Sequence, residues 1–170
     1  MSDYFNAFEM SPVPVPGPDA VAPEPFRGIY GMPMFVTVPT ADVGASVDFW
    51  TRALGFFELF SIPGGVVHLR RWAFQDVLLV PGESGAVGSG AAGLSVSFAC
   101  VLGEIDALVE ACRAVGAGSV EGPRDTPWNT RDVVVGTPEG VRVVFTAAKP
   151  FDSVGQVGRD LAAMGITPER

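Results

Sequence analysis

The sequence predicts an α+β fold: two tandem βαβββ modules that form a cleft between curved mixed sheets, with the helices outside. Three observations carry this. Short runs rich in β-branched residues alternate with apolar stripes of helical spacing, in the order strand, helix, three strands. That order occurs twice, over modules at about 33–81 and 93–147. Each helical stripe also closes on the same Ala-apolar-Gly ending, Ala53-Leu54-Gly55 and Ala114-Val115-Gly116. An internal repeat of this kind buries a continuous core only when its units pack against each other.

The elements follow in order. Residues 1–28 hold six prolines between Pro12 and Pro25 and no apolar periodicity, the pattern of an extended, poorly ordered arm; the domain proper spans 29–150. Met34 to Val38 reads as a strand. Thr40 or Asp42 then caps a helix whose stripe is Val43, Val47, Trp50 and Leu54, ended by Gly55. Strands follow at Phe56–Ile62, Val66–Trp72 and Val77–Val80, with Gly64-Gly65 as the turn between the first two. In the second module Leu94–Leu102 is a strand, and Ile105, Leu108, Val109, Cys112 and Val115 form the helical stripe, stopped by Gly116. Strands at about 118–122, 131–136 and 141–147 complete it. In the tail, 151–170, Ser153 to Gln156 suggests a capping box before a helix bearing Leu161, Ala162 and Met164.

Composition narrows the function classes. The chain has 170 residues, 48% of them hydrophobic, enough for one core. No run reaches the roughly 18 apolar residues of a membrane helix, and the N-terminus lacks the basic-then-apolar layout of a secretory signal, so a cytoplasmic protein is expected. A net charge of −8 repels nucleic acid and attracts cationic ligands, or simply keeps the protein soluble. Cys100 and Cys112 fall on apolar faces and read as buried free thiols. Gly88-Ser89-Gly90-Ala91-Ala92-Gly93 spells GxGxxG, but a strand follows where the dinucleotide fingerprint needs a helix, so the segment reads as a linker. His68, the only histidine, lies on an apolar strand and reads as a structural residue or ligand contact; Glu58, Asp76 and Asp132 could join it at a metal, though nothing in their spacing requires it, and no Ser/His/Asp order appears.

The stretch Val38 to Phe56 (VPTADVGASVDFWTRALGF) resembles the opening of bleomycin-resistance proteins, in the vicinal oxygen chelate superfamily with the glyoxalases and extradiol dioxygenases. A second match runs through Pro127-Trp128-Asn129-Thr130-Arg131-Asp132 and Thr137 to Phe145. The resemblance implies that metal ligands of the family's enzymes would stand at Phe35, near Val77 to Leu79, near Ser97 and at Val144, where this chain has none. It implies metal-free binding and a domain-swapped homodimer, with the groove between subunits and the Arg124–Arg131 loop at the cleft.

Period-2 alternation turns Phe35 and Thr37 to one face and Ser97, Ala99 and Val101 to the equivalent one. The candidate ligand-binding residues are therefore Phe35, Thr37, Phe57, Phe60, Trp72, Ser97, Trp128 and Asp132: rings to stack on a planar guest, small residues to make room and a carboxylate to meet a cation. The function expected is sequestration of a small aromatic natural product, an antibiotic-like molecule, with no cofactor, no catalytic residue and no nucleic-acid or membrane partner. A metal-independent enzyme using Glu58, His68 or Asp132 as acid or base, or a carrier module passing its ligand to a second protein, are the other readings.

Overall fold

A computed structural model describes residues 17–28, 34–82, 95–116, 118–150, 152 and 154–163. The chain runs β1 (Val36–Thr40), α1 (Val43–Arg52), β2 (Phe57–Ile62), β3 (Val66–Arg70), β4 (Asp76–Pro81), β5 (Ser95–Cys100), α2 (Ile105–Val115), β6 (Ser119–Asp125), β7 (Thr130–Gly136), β8 (Arg142–Ala148) and α3 (Gln156–Ala163). The strands form two four-stranded sheets of the same order, β1-β4-β3-β2 and β5-β8-β7-β6. In each the first strand pairs parallel with the last and the remaining pairs are antiparallel. Two βαβββ modules are thus present, as the repeat predicts.

The helices form where the sequence places them. Asp42 is the N-cap of α1, its Oδ1 accepting from the Ala45 amide at 2.9 Å. Thr40 has another task, a buried 2.7 Å hydrogen bond to Ser46. The buried side of α1 includes Phe49, which the predicted stripe omits, beside Trp50. Helix α2 buries Ile105, Leu108, Val109 and Cys112 and ends at Gly116 in the left-handed conformation (φ 69°), where a Cβ is disfavoured. Helix α3 starts at Gln156; Ser153 and Met164 of its predicted signature lie outside the described residues, as do Tyr4, Phe5, Phe8 and the GxGxxG segment.

One core joins both modules. Trp50, Phe56, Phe98 and Phe145 form a chain of ring contacts with centroids 5.1, 5.3 and 6.0 Å apart, crossing from the first module to the second. Each aromatic pair adds about 0.5–1.5 kcal/mol beyond its buried area. Arg71, buried just past β3, bolts the modules from the first side. Its guanidinium donates to the Ala99 carbonyl at 2.8 Å and pairs with Glu104 at 2.8 Å. The predicted third strand therefore stops at Arg70, and Trp72 leaves it at a bend to lie buried under Arg71, 4.7 Å from the guanidinium carbon. Among the described residues no helix is long and apolar enough to cross a membrane.

Candidate functional site

Alternation along β1 sends Val38 into the core and leaves Thr37 exposed on the opposite face, with Phe35 just ahead of it 42% exposed. Across the first sheet, the Phe35 and Phe60 rings both stand edge-on to His68, with centroids 5.2 Å away. Phe60 is 49% exposed, while His68 between them is buried. His68 Nε2 lies 2.5 Å from Asp76 Oδ1, and Arg70 Nε donates to that same oxygen at 2.8 Å. A buried carboxylate needs such a counter-charge, because desolvation of the lone ion would exceed any packing gain. Arg70 also donates to the carbonyls of Phe26 (2.8 Å) and Gly28 (2.7 Å), so the cluster fastens the end of the 17–28 segment over this face.

The second sheet presents a different surface. Along β5, Ser97 and Ala99 are exposed while Phe98 and Cys100 enter the core. Ser97 is paired in register with Val144 of β8. Asp132 of β7 accepts hydrogen bonds from Thr130 and Thr146, each at 2.8 Å, which holds its carboxylate on this face. Trp128 is 62% exposed in the β6–β7 turn. Burial pushes the Cys100 thiol up to about 12, opposed by Arg71 and reinforced by Glu104 and Asp132; burial alone takes Cys112 to about 11. Neither thiol is a nucleophile at neutral pH.

The positions that the resemblance assigns to metal ligands carry the wrong chemistry. Phe35 supplies a ring, Ser97 a neutral hydroxyl, and Val144 and Leu78 (opposite Thr37) only hydrocarbon. Hard and borderline divalent ions need carboxylate, imidazole or thiolate there. His68 is hydrogen-bonded to Asp76, which also accepts from Arg70, and among the described residues no three His, Cys, Asp or Glu side chains cluster. This donor set does not fit a metal.

A cavity of about 510 Å³ opens elsewhere, between the end of α1, the outer side of α2 and residues 22–25. Of the predicted ligand-binding residues, only Phe57 and Trp72 line it. The eight candidates thus divide into four places. Phe35, Thr37 and Phe60 share the first sheet face, Ser97 and Asp132 the second, Phe57 and Trp72 this recess, and Trp128 a turn. The Arg70–Asp76–His68 cluster and its grip on Phe26 and Gly28 were not foreseen. The signal was present: Arg70 and Arg71 interrupt an otherwise apolar strand, and a buried guanidinium requires partners.

A family model described as the glyoxalase/bleomycin resistance protein/dioxygenase superfamily matches residues 34–145. No curated protein matches the chain. Among solved structures, the bleomycin-binding protein of bleomycin-producing Streptomyces verticillus, complexed with copper(II)-bleomycin, is 22% identical with a TM-score of 0.53, over 72% of this chain and 100% of that one. An antibiotic binding protein from Streptomyces sp. CB03234 is 21% identical with a TM-score of 0.54, over 71% and 98%. A fosfomycin resistance protein from Mesorhizobium loti is 14% identical with a TM-score of 0.56, over 72% and 95%. At these identities the likeness is one of fold.

Proposed function

We propose that this chain, which belongs to the glyoxalase/bleomycin resistance protein/dioxygenase superfamily, binds and sequesters a small aromatic natural product without metal and without turnover. The observation that carries this is the residue set on the two outward sheet faces. Where the fold's enzymes would chelate a metal, this chain offers exposed rings on one sheet, Phe35 and Phe60, and small side chains on the other, Ser97 and Ala99. Rings stack on a planar guest, and short side chains leave it room. Asp132 supplies a fixed carboxylate for a cationic group, and the net charge of −8 raises the local concentration of such a ligand.

Among the described residues, Phe35, Thr37 and Phe60 on one sheet and Ser97 and Ala99 on the other are exposed within one copy. A homodimer in which the first sheet of each copy covers the second sheet of the other would enclose two equivalent grooves, an isologous arrangement. Bleomycin-binding and other antibiotic-binding proteins among the structural neighbours support the ligand class.

The test is calorimetric titration with metal-free bleomycin and an intercalating antibiotic against the protein and its Thr37→Trp and Ser97→Trp variants. Both positions are exposed, so stability should stay within about 0.5 kcal/mol. Affinity for whichever drug binds should fall at least about tenfold, or 1.4 kcal/mol, in each variant. Unchanged affinity in both would contradict the reading.

A second reading rests on His68 and Asp76. A carboxylate holding one imidazole nitrogen is the usual device for orienting a general base. Under that reading a His68→Gln variant would keep binding but lose product formation.

A further inference from the structure

We infer that the recess between the 17–28 segment, the end of α1 and the outer side of α2 is a second binding site, for an uncharged, flat molecule of two or three fused rings. Its volume of about 510 Å³ falls in the range of small-molecule pockets, roughly 300–1,000 Å³. The site is separate from the sheet faces, since Phe35, Thr37, Phe60, Ser97 and Asp132 are all absent from its walls.

The chemistry of the guest follows from the lining. Ala53, Ala107 and Ala111 line it with single methyl groups, which leaves the volume open and its lining apolar there. Phe57 and Trp72 supply rings, and Pro23 and Pro25 line the recess from the 17–28 segment. Proline has a fixed φ, so this proline wall loses little backbone freedom when a guest packs on it. Three charged residues also border the recess, and each is compensated. Arg71 is held by Glu104 at 2.8 Å and by the Ala99 carbonyl at 2.8 Å, and Arg52 pairs with Asp48 at 3.0 Å. Glu104 further accepts from the Val101 amide at 3.0 Å. A charged guest would surrender its hydration and meet no free counter-charge among the described lining residues, whereas a neutral aromatic one gives up little.

The wall is fastened without closing the recess. Beyond Pro25, the Arg27 guanidinium sits 4.6 Å over the Phe57 ring, and Arg70 grips the Phe26 and Gly28 carbonyls on the far side of the β2 edge. The proline wall therefore stands in place before any ligand arrives, which lowers the ordering cost of binding.

The experiment uses 2-naphthol, neutral at pH 7, and 2-naphthoate, its charged counterpart, titrated into the full ¹⁵N-labelled chain. Saturable binding of 2-naphthol is expected, with amide shifts centred on Ala53, Ala107, Ala111 and the Trp72 indole N–H. 2-Naphthoate should bind at least about tenfold more weakly. Ala111→Trp, which fills the recess, should weaken 2-naphthol binding at least about tenfold, with folding checked by thermal melting. If that variant fails to fold, Ala107→Trp at an exposed helix position replaces it. Shifts confined to the sheet faces, equal affinity for the two probes, or full binding to a folded Ala111→Trp or Ala107→Trp protein would overturn the inference.

Discussion

A single oxygen, Oδ1 of Asp76, receives both Arg70 and His68, while Oδ2 is buried with no hydrogen-bond partner among the described residues. Breaking a buried ion pair from one side leaves a stranded charge and costs about 3–5 kcal/mol. Arg70→Met should therefore lower the melting temperature steeply, and Arg70→Met with Asp76→Leu should recover much of the loss. If the single variant melts like the parent, the pairing is not structural. The cysteines give a second prediction at this scale. Folding favours their neutral thiols, so this contribution is complete below the ordinary thiol pKa of 9.0 and is lost as pH rises toward about 12 for Cys100 and about 11 for Cys112. A Cys100→Ala/Cys112→Ala protein should show a flatter melting temperature between pH 9 and 11 than the parent. Rapid iodoacetamide labelling of the folded parent at pH 7 would contradict buried thiols. The sequence announced the thiols, which sit at core spacing on their strand and helix. It hid the partners of Arg70, because Asp76 stands on the neighbouring strand β4 and the carbonyls of Phe26 and Gly28 come from a segment some 40 residues upstream in the chain.

Elements were the most legible scale, since each rests on local chemistry: Asp42 before one helix, Gly116 after the other, and the switch of apolar period between them. Asp42→Ala should cost about 0.5–2 kcal/mol by losing the cap, measurable in chemical denaturation. Strand ends were less legible. β6 extends to Asp125 and passes a register shift between Glu121 and Arg124, which periodicity alone does not reveal. Trp72 likewise looks like one more apolar strand residue, yet Arg71 turns inward to reach Ala99 and the chain bends there. Leading into β6, Gly118 has φ 79°, and a Cβ there would run into the Gly136 carbonyl oxygen. Gly118→Ala combines backbone strain of about 1–3 kcal/mol with that clash, so it should destabilise more than Gly116→Ala, where the space beside the backbone is open. Equal melting temperatures for the two variants would refute this.

For the whole molecule, the doubled βαβββ order predicted two like sheets, and one core running from Trp50 to Phe145 joins the two modules. The division of the candidate site was not legible. Alternation tells which side of a strand a residue takes, and it succeeded for Thr37 and Ser97. It cannot tell that Phe57 and Trp72 lie at the sheet margin beside the helices rather than with Phe35 and Phe60. Stoichiometric binding of an intact aromatic ligand with no metal can be read out by native mass spectrometry. The purified protein would be titrated with DNA-damaging natural products, each with and without EDTA. One drug molecule per subunit on a dimer, unchanged in mass and indifferent to EDTA, is the predicted result. A ligand of altered mass, or a co-purified metal whose removal abolishes binding, would contradict the account and identify an enzyme instead.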